Sequence, residues 1–429
     1  MAFLLIFPYI FFYNRNKSVS LTLLFGFITN IFFLLEGNQN FFGFTYQITD
    51  LGIFSLIYSI IYEKLVNGAK IFEDSPTNYK ILLLFFLILI IVDITIFSTS
   101  ISSLLTTRRI LLYILIFSYF NCFNKTELEQ TLSNLISITK ISYPIYFLQF
   151  IINEQIFYGN TVEHEFVLGM TRFANFPPFT LPFLFYLFFN NVYKNRFLWI
   201  SISSAAILLS TSRSLVIGIA LALLLYNITN LKNILKTSVI LSIIALFFLA
   251  SLRIIPGFQA RMEDGFKEVT YVIENISSGN IESRGTFSYR MAFLIERLDY
   301  LSKDITNIMF GIGGISEQNL QRSLFDIGII DETTGLTQQL NTGDNAWVLL
   351  FLRFGLLGSL IYIITILFQL FYNYFKLQSS LYKHIGLSYL IFLFLRSVVT
   401  SDLATMQVFF VPLLFYYLGK YTYNNLDAR

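Results

Sequence analysis

Apolar runs of helix length follow one another along most of the chain, and this pattern constrains the fold more than any single motif. A hydrocarbon core about 30 Å thick needs about 20 apolar residues per helix. The runs at 2–13, 19–36, 44–62, 81–99, 110–123, 132–152, 176–192, 197–211, 214–228, 237–252, 345–374, 384–400 and 403–419 meet or approach that length. Only 13% of residues are charged and the mean hydropathy is +0.66, whereas an ordinary soluble domain carries about a quarter charged residues. The runs are continuous rather than alternating, so backbone groups in lipid find their partners within helices and not around a barrel. The expected class is all-α, a polytopic membrane bundle of about 12–13 transmembrane helices.

Lysine and arginine bias in short loops sets the orientation. One set of turns and the tail carries Arg15, Lys17, Lys64, Lys70, Lys80, Lys125, Lys194, Arg196, Lys232, Lys236, Lys376, Lys383, Lys420 and Arg429, against Arg108, Arg109, Arg172 and Arg213 in the other. The C-terminus is therefore expected in the cytoplasm and the long polar stretch 253–343 outside. Residues 1–13 lack a basic leader and a small-residue cleavage site, and read as a retained helix. The chain then divides into an N-terminal bundle at 1–252 with a small outer loop at 153–175, a large outer loop at 253–343, and three further spans with a cytoplasmic tail at 344–429. No internal repeat is visible, which weighs against the duplicated halves of many transporters. Cys122 is the single cysteine, so no intramolecular disulfide can form. The two histidines, His164 and His384, fall on opposite sides in this topology, and no metal site or cofactor is expected.

The large loop holds 8 lysines and arginines against 12 acids, so anything its arginines bind must be held by particular side chains rather than by a diffuse field. Within it Phe287, Met291, Leu294, Leu298 and Leu301 recur at steps of four and three, which predicts an amphipathic helix. Arg290 and Arg297, seven apart, rise from one side of that helix, which we expect to lie over the mouth of the bundle.

Several constellations can carry chemistry. Ser210-Thr211-Ser212-Arg213 stands at the outer junction of two apolar runs, where a guanidinium is costly unless paired or bound to an anion; the bland alternative is an interfacial anchor. Arg172, Arg284, Arg290 and Arg297 offer planar forks that grip phosphate oxygens in pairs, although Glu296 and Asp299 are ready partners for Arg297. Asp344-Asn345 opens the run at 345–374 and reads equally as a helix cap or as a general base beside an acceptor hydroxyl. The Gly311-Ile312-Gly313-Gly314 turn can aim amides at an anion. His164, between Glu163 and Glu165, reads either as a base on the outer face or as part of a solvated loop. Asp50, Asp93, Lys140, Arg396 and Asp402 lie in or near apolar runs and are expected to be paired there.

Taken together, the Ser-Thr-Ser-Arg step at 210–213, the long outer loop, Arg290 followed by Gly311-Ile312-Gly313, and Asp344-Asn345 with Gly355 and Gly358 resemble the O-antigen polymerase and ligase superfamily. The resemblance spans about residues 160–400. It implies a metal-independent, GT-C-like membrane glycosyltransferase acting on undecaprenyl-diphosphate-linked oligosaccharide, as donor and acceptor, at the outer face of the bacterial cytoplasmic membrane. A chain-length regulator and a flippase would be its partners, and nucleic acid would not. The family's diphosphate-holding arginines correspond to Arg172, Arg213 and Arg290, with Arg284 added here on chemistry alone. Asp344 is the first candidate base, and His164, Arg297 and Asn345 are secondary candidates. Ligases commonly show a histidine where this chain has Asp344, which favours a polymerase. The alternatives are a ligase, a lipid-linked oligosaccharide flippase, and a receptor-like protein whose loop binds a partner.

Overall fold

Caps and glycines, more than apolar content, decide where each helix begins and ends. The structure is a computed structural model that describes residues 2–41, 44–69, 75–158, 164–167, 170–210, 212–228, 242, 258–275, 286–317, 320, 324–330, 337–340 and 345–427. Through the first of the apolar runs the helices are α1 (Ile6–Tyr13), α2 (Lys17–Ile28), α3 (Ile48–Leu65), α4 (Tyr79–Thr95), α5 (Ile101–Arg108), α6 (Ile116–Tyr119), α7 (Lys125–Ile152), α8 (Thr180–Phe189), α9 (Arg196–Leu209) and α10 (Arg213–Ile228). The polar stretch contributes α11 (Phe258–Asn275), α12 (Thr286–Ser302) and α13 (Ile305–Phe310), and the chain closes with α14 (Ala346–Tyr362), α15 (Gln369–Lys376), α16 (Leu381–Arg396) and α17 (Phe410–Asp427). Three two-stranded antiparallel hairpins accompany them: β1 (Asn38–Phe41) with β2 (Phe44–Gln47), β3 (His164–Val167) with β4 (Met170–Phe173), and β5 (Ile329–Ile330) with β6 (Thr337–Gln338).

The described residues form a helical bundle with one extended apolar core that draws on α1–α4, α6–α10 and α14–α17. Two helical stretches, Lys125–Ile152 and Ala346–Lys376, are long and apolar enough to cross a membrane. Side-chain oxygens of Asn16, Asn124 and Ser380 accept amides of the first turns of α2, α7 and α16, which satisfies donors that a helix start otherwise leaves unpaired.

The boundaries depart from the apolar runs in instructive ways. The second helix stops at Ile28 rather than 36, because Asn30, Ile31, Phe32 and Phe33 take φ of 50–66°. That left-handed turn costs about 1–2 kcal/mol per residue. It is held by Ile31 N donating to Gly26 O (2.6 Å) and by the Phe32 ring lying over Gly26. The run at 110–123 is one turn of α-helix between two 3-10 segments, and the run at 237–252 lies outside the described residues apart from position 242.

The predicted loop helix is present as α12, with both flanks covered. One flank packs Phe287, Met291, Ala292 and Ile295 against Val272 of α11, and the other packs Phe293 and Leu301 against Val348 and Leu352 of α14. Next to it the chain passes very close to α14. Gly355 has φ +66° inside that helix, and a Cβ there would meet the Met309 carbonyl oxygen and the Phe310 amide at 2.5 Å. Gly68 shares the positive φ, at +60°, but has open space around it.

Gly355→Ala should therefore lose about 3 kcal/mol or more through combined strain and overlap, against about 1–2 kcal/mol for Gly68→Ala. Thermal unfolding of the two purified variants measures the difference, and equal losses would refute the close crossing.

Candidate functional site

The crossing at Gly355 is fastened by a buried polar cluster. Asp93, in the last turn of α4, accepts from Arg108 Nε (2.8 Å) and Nη2 (3.1 Å), and from the Gly314 amide (2.9 Å). Arg108 Nη1 donates to the Arg353 carbonyl (2.7 Å), and Arg353 Nη1 donates to the Ile315 carbonyl (2.6 Å). Ser103 Oγ and Thr107 Oγ1 donate to the Gly314 carbonyl at 2.8 and 3.0 Å, and Ser103 Oγ also accepts the Ser316 amide at 2.8 Å. Asp93 is 0% exposed and Arg108 4%, so the pairing is what permits these charges to be buried at all. The glycine turn does aim an amide at an anion, and that anion is the protein's own Asp93.

The other charges in apolar surroundings are also accounted for. Arg109 pairs with Asp50 at 2.9 Å and Arg396 with Asp402 at 3.3 Å. The Lys140 ammonium lies 4.9 Å from the ring centres of both Tyr193 and Trp199, where ring faces attract a cation.

A chain of contacts gathers the remaining candidate elements at this same end of the bundle. The Tyr146 hydroxyl lies 3.4 Å from the Phe173 carbonyl and 3.2 Å from that of Ala206. This ties the β4 strand that carries Arg172 to the last turns of α9, just ahead of the 210–213 step. Arg213 opens α10, and α10 meets α16 at Gly218, where a Cβ would lie 3.2 Å from Arg396 Cγ. The end of α16 meets the start of α14 through Ala346 N donating to Ser397 O (2.9 Å). Arg290 is half-buried on α12, three residues before Phe293, which packs on Val348 and Leu352 of α14. Arg284 and Asp344 lie outside the described residues, as do the side chains of His164, Arg172 and Arg213. What is visible is a chain of contacts that connects the backbones bearing Arg172, Arg213 and Arg290 through α9, α16 and α14.

Two of the three secondary candidates, Arg297 and Asn345, have structural duties. Arg297 is 0% exposed and is enclosed by the Phe293 and Phe325 rings, 3.6 and 4.2 Å from its guanidinium carbon. Its two terminal nitrogens donate to Glu296 and to the Ile327 and Gln339 carbonyls, while Nε has no hydrogen-bond partner among the described residues. Burial pushes its pKa down to about 10 despite Glu296, which still leaves it protonated at neutral pH. Asn345 caps α14, its Oδ1 accepting from Trp347 N (2.9 Å) and Val348 N (3.3 Å).

Arg108, Arg353 and Arg396 were not singled out as site residues from sequence. The available signal was a guanidinium inside or beside a helix-length apolar run, which marks a paired or ligand-holding group without identifying the partner. A cavity of about 420 Å³ lined by Lys17, Cys122, Lys125 and Tyr421 belongs to the opposite, lysine-rich end and is remote from this chain of contacts. Comparison with known proteins finds no matching family model and no matching curated protein.

Asp93→Ala should cost about 3–5 kcal/mol, because Arg108 stays buried without its partner, and should expose the 303–316 segment to protease earlier than in the wild type. The double change Asp93→Leu with Arg108→Met should recover most of the melting temperature. Failure of that recovery, with the fold retained, would sink the pairing account.

Proposed function

We propose that the protein is a polytopic membrane glycosyltransferase of the O-antigen polymerase type, joining undecaprenyl-diphosphate-linked repeat units at the outer face of the bacterial cytoplasmic membrane. The observation that supports the proposal is the chain of contacts that links the Arg172, Arg213 and Arg290 segments at one end of a helical bundle, where the loop helix docks on α14. The surface supports immersion in lipid. Ile81, Leu84, Leu87, Ile88, Ile91 and Ile94 form an exposed stripe along α4, whereas its buried face includes Tyr79 and Asp93. Exposed aliphatics over a core that holds charged groups are the reverse of a water-facing helix. The lysine-rich turns lie at the opposite end, as positive-inside orientation requires when the loop is outside.

The chemistry follows from charge. In the proposed reaction an acceptor hydroxyl oxygen forms a bond to the donor sugar's anomeric carbon while the bond from that carbon to the lipid diphosphate breaks. The electron pair leaves with the diphosphate, and the hydroxyl proton passes to a base, for which Asp344 is our candidate. Guanidinium groups of Arg172, Arg213, Arg284 and Arg290 that meet the leaving diphosphate bind it more strongly as its charge grows, which lowers the barrier instead of only tightening the substrate. Exclusion of water beneath the loop helix favours transfer over hydrolysis.

Arg213→Lys and Arg290→Lys should each reduce chain growth by about 10²-fold or more, since a lysine supplies charge without the fork. The assay incubates purified enzyme with a lipid-linked repeat unit and reads the glycan ladder on a gel. Wild-type ladders from both variants would refute the diphosphate clamp. Transfer to an acceptor without any ladder would identify a ligase, and translocation without transfer a flippase.

A further inference from the structure

Two buried nitrogen donors at the junction of α14 and α16 have no hydrogen-bond partner among the described residues: Asn345 Nδ2 and Arg396 Nε. Asn345 is 0% exposed, and because its Oδ1 already accepts the Trp347 and Val348 amides, Nδ2 points away from the first turn of α14. Arg396 has 15% of its side chain exposed, and only Nη1 reaches Asp402, at 3.3 Å. The hydrogen bond from Ala346 N to Ser397 O (2.9 Å) joins the residues that follow each of them, so the two donors flank one seam. A buried N–H left without an acceptor is costly.

We infer that this seam is an oxygen-binding position and that its ligand is an anionic phosphate oxygen. Both orphaned atoms are donors, which calls for an acceptor. A sugar hydroxyl would bring a proton of its own that needs an acceptor in turn, whereas a phosphate oxygen brings none. Arg396 supplies a charge that Asp402, 44% exposed, balances only from one side. The part of α14 that precedes the kink at Gly355 starts at the seam and adds the positive end of its dipole. The oxygen enters past the exposed edge of the Arg396 guanidinium. Through Gly218 that side chain lies against α10, about 7.5 Å along the helix from Arg213, so the position adjoins the proposed diphosphate clamp. The assignment rests on that reading for the lipid-borne source of the phosphate, but not for the position itself.

The test measures binding to the full-length protein in detergent, using farnesyl diphosphate as a short prenyl diphosphate, inorganic pyrophosphate, and nanodiscs containing phosphatidylglycerol. Asn345→Ser keeps a capping oxygen while removing the amide donor, and Arg396→Lys keeps the charge while removing Nε. Apo melting temperatures show whether each variant folds. Both variants should bind farnesyl diphosphate about tenfold more weakly than the wild type, the loss of one charge-assisted hydrogen bond. A parallel loss with pyrophosphate assigns the position to phosphate of any source, and a loss with phosphatidylglycerol alone assigns it to bulk lipid headgroups. If both variants bind every probe as the wild type does, the position is overturned, while weakening by Arg213→Lys in the same assay keeps the clamp. If Asn345→Ser and Arg396→Lys weaken binding but Arg213→Lys and Arg290→Lys do not, the clamp fails and the position stands. No binding of any probe to the wild type overturns both.

Discussion

The buried pairing of Asp93 with Arg108 is the interaction on which the loop-bearing end of the molecule depends. An ionised carboxylate and guanidinium leave water only when their mutual attraction and further hydrogen bonds offset the loss of solvent. Here the remaining capacity of both groups goes to the Gly314 amide and the Arg353 carbonyl. The ion pair of two bundle helices thereby holds a turn of the polar stretch 253–343, and Arg353 holds the next residue of that turn through the Ile315 carbonyl. The glycines follow from the same requirement. Gly311 and Gly355 leave two backbones room to cross where a Cβ at either would overlap the other.

Elsewhere tyrosine hydroxyls fasten helices. Tyr362 donates to the Leu403 carbonyl and Tyr374 to the Pro412 carbonyl, and Tyr9 joins Ser59 and Tyr119 at 2.7 Å each. The Leu403 carbonyl stands at a break between helices, where a carbonyl lacks its usual amide partner, and a carbonyl oxygen has a second lone pair to offer even inside a helix. A tyrosine can reach either from a neighbouring helix while its ring fills the core. If the bundle is immersed in lipid as proposed, tails as apolar as a leucine side chain leave such hydrogen bonds and close packing to contribute more to helix association than burial alone.

Much of this was legible in the sequence, and the limits have physical causes. The loop helix expected from Phe287 to Leu301 is found at Thr286–Ser302, because a 3.6-residue period is a local property. Its buried face was less legible. Phe293 and Arg297 are enclosed together with Leu301, since the helix is covered on two flanks and a single apolar stripe describes only one. Asp50, Asp93, Arg396 and Asp402 are paired as expected, whereas Lys140 meets aromatic rings instead of a carboxylate among the described residues; which partner each takes depends on which helices become neighbours. The amide partner of the glycine turn was hidden for the same reason, as Asp93 lies 221 residues from Gly314.

Arg297 fixes the position of its helix without being available to a ligand itself. Its guanidinium is enclosed by two phenylalanine rings, Glu296 and the backbone carbonyls of Ile327 and Gln339. Two turns away on the same helix, about 10.5 Å along the axis, stands Arg290. A helix is stiff over that distance, so fixing Arg297 also fixes the place from which Arg290 extends. The other side of α12 rests on Val348 and Leu352, within two turns of the Asn345 cap. The loop arginine and the start of α14 are therefore set relative to each other by one rigid element packed on another. The clamp proposed above, assembled from separate segments, would need that relation, because a bidentate grip is lost when its forks shift by about an ångström.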